Sequence, residues 1–173
     1  MIAKYVQWAL GGHTMTWSSW KPADRRRPSG NWRQYQMSTA VVGITHRRAA
    51  VVSFMKGAFA SDQNGDDWAV ELERESTNKY HANAIAVYGR WTERRKRWFR
   101  PEAVEVRRAH IGYLNSDLAD RFAEKGSDFP LAAELYDVRV NDSNDAPELL
   151  GVILKINILL PSKTDPQWAH LDL

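Results

Sequence analysis

Trp68-Ala69-Val70-Glu71-Leu72-Glu73-Arg74 decides the fold class. Apolar side chains at 68, 70 and 72 alternate with carboxylates at 71 and 73, the period of a strand with one face buried and one in water. The polar run 60–67 before it reads as a loop, and Ala84 to Tyr88 beyond it reads as a second strand. Upstream, Ser38 to Gly43 reads as a strand entering the domain, with Val41 and Val42 as core candidates. Thr45 is positioned to cap a helix from His46 to Lys56, with Ala50, Val51, Phe54 and Met55 at helical spacing and Gly57 as its stop. Downstream, His110 to Leu114 is a short strand. Ser116 is expected to cap a second helix from Asp117 to Lys125, with Leu118, Ala119 and Phe122 facing inward and Gly126 ending it. A last hairpin, Leu131 to Val140 and Leu149 to Leu160, flanks the polar turn 141–147. About six strands and two short helices with turn signals between them predict a mainly β fold, a small closed or nearly closed barrel.

The 173 residues suit one domain plus extensions, and a hydrophobic fraction of 43% is enough for a core. Three parts are expected: a Trp- and Arg-rich N-terminal arm over 1–38, a barrel over 39–161, and a polar tail over 162–173. The arm holds Trp8, Trp17, Trp20 and Trp32, half of the eight tryptophans. A purely disordered segment is poor in aromatics, so the arm is expected to be partly ordered and packed on the domain or on a partner. The chain has no Cys, which excludes disulfides and thiolate metal sites. Lys4 and Gln7 break the first apolar run, and no stretch suits a bilayer span, so the expectation is a cytoplasmic protein with no membrane partner.

Net charge is +3, but its distribution is uneven. Residues 1–40 hold six basic side chains against Asp24, and residues 90–108 hold eight against three acidic ones. The remainder is therefore acidic. A polyanion would be drawn to the two basic segments and repelled elsewhere.

Three blocks carry a family resemblance. Val41-Val42-Gly43-Ile44-Thr45-His46 is similar to the opening of HIRAN domains. Leu72-Glu73-Arg74-Glu75-Ser76-Thr77-Asn78-Lys79-Tyr80-His81-Ala82-Asn83-Ala84-Ile85-Ala86-Val87-Tyr88 resembles the family's central stretch, approximately L-x-R-E-P-x-N-x-Y-D-x-N-A-I-x-V. Ile111-Gly112-Tyr113-Leu114 before a helix resembles its third block. The resemblance covers about residues 40–160 and implies an OB-like modified β-barrel with helical additions. It also implies single-stranded DNA binding with a grip on the 3′ end and no chemistry, as in the helicase-like transcription factor family. Free-standing members occur in bacteria and phages.

Carried over by position, the resemblance places Asn78, Tyr80, His81 and Tyr113 around an end pocket, with Tyr80 stacking on a terminal base. His81 stands where the family usually has an Asp that accepts from the 3′-hydroxyl. A neutral His accepts one hydrogen bond but lacks the carboxylate charge. Thr45 and His46 fall where eukaryotic relatives carry an Arg–Tyr pair, so Thr45, His46 and Arg47 are expected to form one wall. Asn83 and Ile85 are read as structural.

The connection 89–109 is longer than the family's short turn. It holds Arg94, Arg95, Lys96 and Arg97 between Trp91 and Trp98, a mix in which rings stack on bases and cations hold phosphates. Those tryptophans can equally close an extended hairpin or sit in packing, and a charge run can be a plain solvated face.

The expected function is a non-catalytic nucleic-acid-binding module for single-stranded DNA or a DNA 3′ end. No cofactor or metal is expected: there is no Cys nucleophile, no phosphate-cradling Gly-rich loop and no metal-type His spacing. A protein-interaction adaptor working through the arm is the alternative. A metal-dependent nuclease using Asp66, Asp67, Glu71 and Glu73 ranks lower, since those carboxylates read as the solvent face of a strand.

Overall fold

The computed structural model describes residues 6–10, 13–97, 100–141, 151–164 and 166. Among them the chain is mainly β, built as a five-stranded and a three-stranded antiparallel sheet. In chain order the strands are β1 (Val6–Leu10), β2 (His13–Trp20), β3 (Trp32–Ala40), β4 (Trp68–Arg74), β5 (Ile85–Arg97), β6 (Arg100–Tyr113), β7 (Ala132–Asn141) and β8 (Val152–Pro161). The first sheet has the order β1-β2-β7-β8-β3 and the second β4-β5-β6. A 3-10 turn, Ile44–Arg47, leads into helix α1 (Arg48–Asn64), and α2 is Ser116–Ala123. There are thus more strands than the six expected, and no closed barrel forms among the described residues. No described helix is long and apolar enough to cross a membrane.

The alternation in β4 works as its spacing predicts. Trp68 and Val70 are buried, and Glu71 and Glu73 point to the outer face. The core lies between the sheets and α1, where Phe54, Val51 and Trp68 meet Ile85, Val87, Leu135, Ile156 and Ile158. A backbone bridge joins the sheets at one corner. There Val42, just past β3, pairs with Tyr113 at the end of β6, each N–H donating to the other's carbonyl at 2.9 Å.

Gly112 makes that corner possible. It has φ +155°, and a Cβ there would sit 2.6 Å from the Val42 carbonyl oxygen and 2.4 Å from Val41 Cγ1. Only a residue without a side chain lets the two backbones approach so closely.

Three local expectations need correction. Gly57 does not stop the first helix, which runs on to Asn64 and ends at Gly65 in the left-handed region, φ 70°. Gly57 is instead a packing gap: a Cβ there would lie 2.2 Å from the Trp91 indole, so the glycine lets α1 settle onto β5. Thr45 caps neither helical segment. The cap of α2 is Asn115, whose side chain accepts from the Leu118 N–H at 2.9 Å, one residue before the expected Ser116.

The first strand of the domain starts at Trp32 rather than Ser38, pairing with β8. Trp20 is buried, its ring 4.9 Å from that of Trp68. The Arg triplet 25–27 that follows reaches acidic side chains of the body while staying partly exposed. Arg27 Nε donates to buried Glu134 at 2.9 Å, Arg25 pairs with the same carboxylate at 3.4 Å, and Arg26 lies 3.8 Å from Asp62. Asn157 completes the cluster: its Nδ2 donates to Glu134 at 2.7 Å and its Oδ1 accepts from the Ser38 N–H at 2.9 Å.

Candidate functional site

Beside the Val42–Tyr113 corner lies a cleft of about 420 Å³. Its walls come from stretches far apart in the chain: Val42 and Arg47, the loop residues Asn78, Tyr80 and His81, then Tyr113, and Ser116 and Ala119 from the first turn of α2. Arg47 is its one guanidinium, and no carboxylate lines it.

The loop 75–84 is fastened at both ends before it presents anything. The Glu75 N–H donates to the Ala84 carbonyl at 2.8 Å, and the Ala84 N–H donates to the His81 carbonyl at 3.0 Å. Asn78 then organises the apex. Its Oδ1 accepts from the N–H groups of Tyr80 (2.9 Å) and His81 (3.2 Å), the local turn chemistry that Asn favours. Its Nδ2 donates to Glu75 at 2.7 Å and to the Tyr113 hydroxyl at 3.3 Å. Both ends of the amide are therefore engaged inside the protein. Asn78 shapes the cleft and has no group to spare for a ligand.

Tyr80 is released by the same arrangement. It is 84% exposed, the most exposed large hydrophobic side chain among the described residues, with the Lys79 ammonium 4.8 Å from its ring centre. Burying little area, the ring contributes little support to its loop. A flat exposed ring beside a cation is suited to stacking on another planar group.

Tyr113 is held from three sides. Arg47 lies over its ring at 5.5 Å and reaches its hydroxyl at 3.5 Å, and His110 packs edge-on at 4.6 Å. Burial and then the Glu75 carboxylate push the Tyr113 hydroxyl above its ordinary pKa, so it stays protonated. Hydrogen bonds from Asn78 and then Tyr113 hold Glu75 below the usual carboxylate range. Burial, and then the Arg47 charge, push His110 down, so it is neutral near pH 7 with Nε2 2.9 Å from the Gly112 carbonyl.

His81 closes the far side, with Nε2 3.5 Å from Asp120 Oδ1. Its Nδ1 is buried and has no hydrogen-bond partner. Asp120 also accepts from Asn83 Nδ2 at 2.7 Å, so Asn83 ties the loop to α2.

The structure brings together Arg47, Asn78, Tyr80, His81 and Tyr113. Thr45 and His46 are exposed on the 3-10 turn and do not line the cleft. Arg94 and Arg95 stand on β5 eight and nine residues beyond Ala86, the partner of Tyr113, which puts Arg94 about 26 Å up the hairpin. Lys96 and Arg97 continue that strand, and Trp98 lies outside the described residues.

Much of the basic charge of this hairpin is matched locally. Arg94 is bidentate to Asp66 at 2.5 and 2.6 Å, and Arg107 pairs with Glu93 and Glu105 at 2.7 Å. Arg90 bridges Asp67 and Glu71, while Arg108 bridges Glu71 and Glu73 and lies 3.6 Å from the Tyr88 ring centre. The carboxylates weighed as nuclease ligands are thus engaged by guanidinium groups. Among the described residues, no group of three or more His, Asp or Glu is placed to hold a metal ion.

Two contributors escaped the reading of the sequence. Glu75 lies three residues before Asn78, a spacing that a turn brings together, and it could have been found there. His110 carried no such signal, because its contact with Tyr113 depends on the bulge that offsets Tyr88 and His110 from the Val87–Gly112 pair.

Compared with known proteins, the chain matches no family model, and no curated protein or solved structure matches it.

Proposed function

We propose that the chain is a non-catalytic module that binds single-stranded DNA, or a DNA 3′ end, in the cleft between the Tyr80 loop and the Val42–Tyr113 corner. The observation that carries this reading is convergence. Residues from three separate stretches, each singled out by the HIRAN resemblance, line one cleft with an exposed ring at its lip and a guanidinium in its wall. Tyr80 stacks on a base, Arg47 takes a phosphate, and Asn78 holds the loop in position. His81 lines the cleft in place of the Asp of the HIRAN pattern. The sheet-to-sheet bridge at Val42–Tyr113 and the packing of β4 against β7 support reading the two sheets as an opened OB-like barrel.

The test is fluorescence anisotropy with single strands that end in a free 3′-hydroxyl, a 3′-phosphate or a free 5′ end, and with a circular strand. Preference for the free 3′-hydroxyl establishes end recognition. Equal affinity for all four leaves general strand binding, and no binding to any of them in dilute buffer rejects the proposal.

A further inference from the structure

A second cleft of about 600 Å³ lies between α1 and the β5–β6 hairpin. Lys56, Arg94, Arg95 and Arg107 line it, with the Trp91 indole seated against Gly57. Among the described residues, the carboxylates paired with these cations are Glu93, Glu105 and Asp66, three against four. Lys56 supplies the surplus: it is exposed and has no carboxylate partner among the described residues.

The two clefts are joined by one element. Arg47, in the wall of the first, immediately precedes α1, and Lys56 and Asn64 of α1 line the second. The 17 residues of α1 span about 25 Å, enough to carry several phosphates of one strand. The exposed positions Ala49, Ser53, Lys56 and Ala60 offer small or cationic side chains. The helix has a single carboxylate, Asp62, and it is turned toward Trp68 and Arg26. A polyanion lying along this helix would meet no negative charge from it.

We infer that the α1–hairpin cleft is a second phosphate-binding site for the same DNA, reached along the outward face of α1. This rests on the first cleft being a strand-binding site. The pair acts as a length gauge: a short oligonucleotide fills the Tyr80 cleft alone, and one long enough to follow α1 also engages Lys56 and its neighbours.

The experiment compares oligonucleotides of about three and about twelve nucleotides on the wild type, Lys56→Glu, Arg95→Ala and Tyr80→Ala chains, with thermal melts to verify folding. Expected is a gain in affinity with length that falls about tenfold in Lys56→Glu, falls to a smaller extent in Arg95→Ala, and has a shallower salt dependence in both. The short oligonucleotide binds these two variants as it binds wild type. An unchanged gain with length in both folded variants overturns the second site and leaves the first standing. Long-strand binding that survives Tyr80→Ala and is lost in Lys56→Glu establishes the second cleft and rejects the first as the strand site.

Discussion

Gly112 and Val42 touch backbone to backbone, with space for a hydrogen but not for a methyl group. Their contact aligns Tyr113 in the wall of the first cleft. Gly112→Ala should therefore lower stability by about 1–3 kcal/mol, because the clash is with a carbonyl that cannot swing away. Chemical denaturation would show a lower midpoint. The same variant should bind strands more weakly even where it is folded, since Tyr113 and Arg47 shift together.

Tyr80→Ala should separate binding from folding. An exposed ring contributes little to stability, so the change should stay within about 0.5 kcal/mol. Affinity for single-stranded DNA should fall by about 1–3 kcal/mol, the range for a base stacked on an aromatic ring. A paired denaturation curve and anisotropy titration measure both.

Asp66→Asn should strengthen DNA binding. The bidentate Asp66 carboxylate holds the Arg94 guanidinium, and removing its charge leaves the hairpin one unit more positive. The slope of log affinity against log salt should steepen by about one, read between about 50 and 200 mM salt. A slope that stays unchanged would show that Arg94 lies off the path of the DNA.

Glu134 should tie stability to acid. Burial pushes its carboxyl up, but Arg27, Asn157 and Arg25 together outweigh burial and hold it below the ordinary 4.5. A carboxylate depressed in the folded state stabilises the protein fully above its unfolded pKa, and this contribution is lost as pH falls through the folded value. Wild-type stability should thus decline below about pH 4.5, and Glu134→Gln should remove part of that decline. At neutral pH the variant should be less stable by about 1–3 kcal/mol, measured by denaturation across a pH series.

The strands around Trp68 and Ile85 were legible because their period of two is unbroken over several residues. β3 was not. Register shifts at Gln34/Gln36 and Gln36/Thr39 interrupt its alternation, Ser38 sits at φ 57°, and its partner β8 lies some 120 residues away. The extent of α1 was hidden because a glycine has the same letter whether it ends a helix or makes room for Trp91. Asn78, Tyr80, His81 and Tyr113 were singled out by their positions in the HIRAN-like blocks, and in the structure they line one cleft. Thr45 and His46 do not line the cleft, because successive side chains of a 3-10 turn point about 120° apart and Arg47 is the one that faces it. The charge runs showed where cations lie but not what neutralises them. Arg27 finds Glu134 across 107 residues, and Arg94 finds Asp66 across 28.

The clamp of Arg25 and Arg27 on Glu134 bears on any attempt to trim the N-terminus. Cutting the chain at residue 38 would strand a lone anion in the interior with only an amide for company, at a cost of several kcal/mol. Weak binding by such a shortened chain would then report a damaged scaffold, and single substitutions at the surface are the cleaner way to ask what the leading segment contributes.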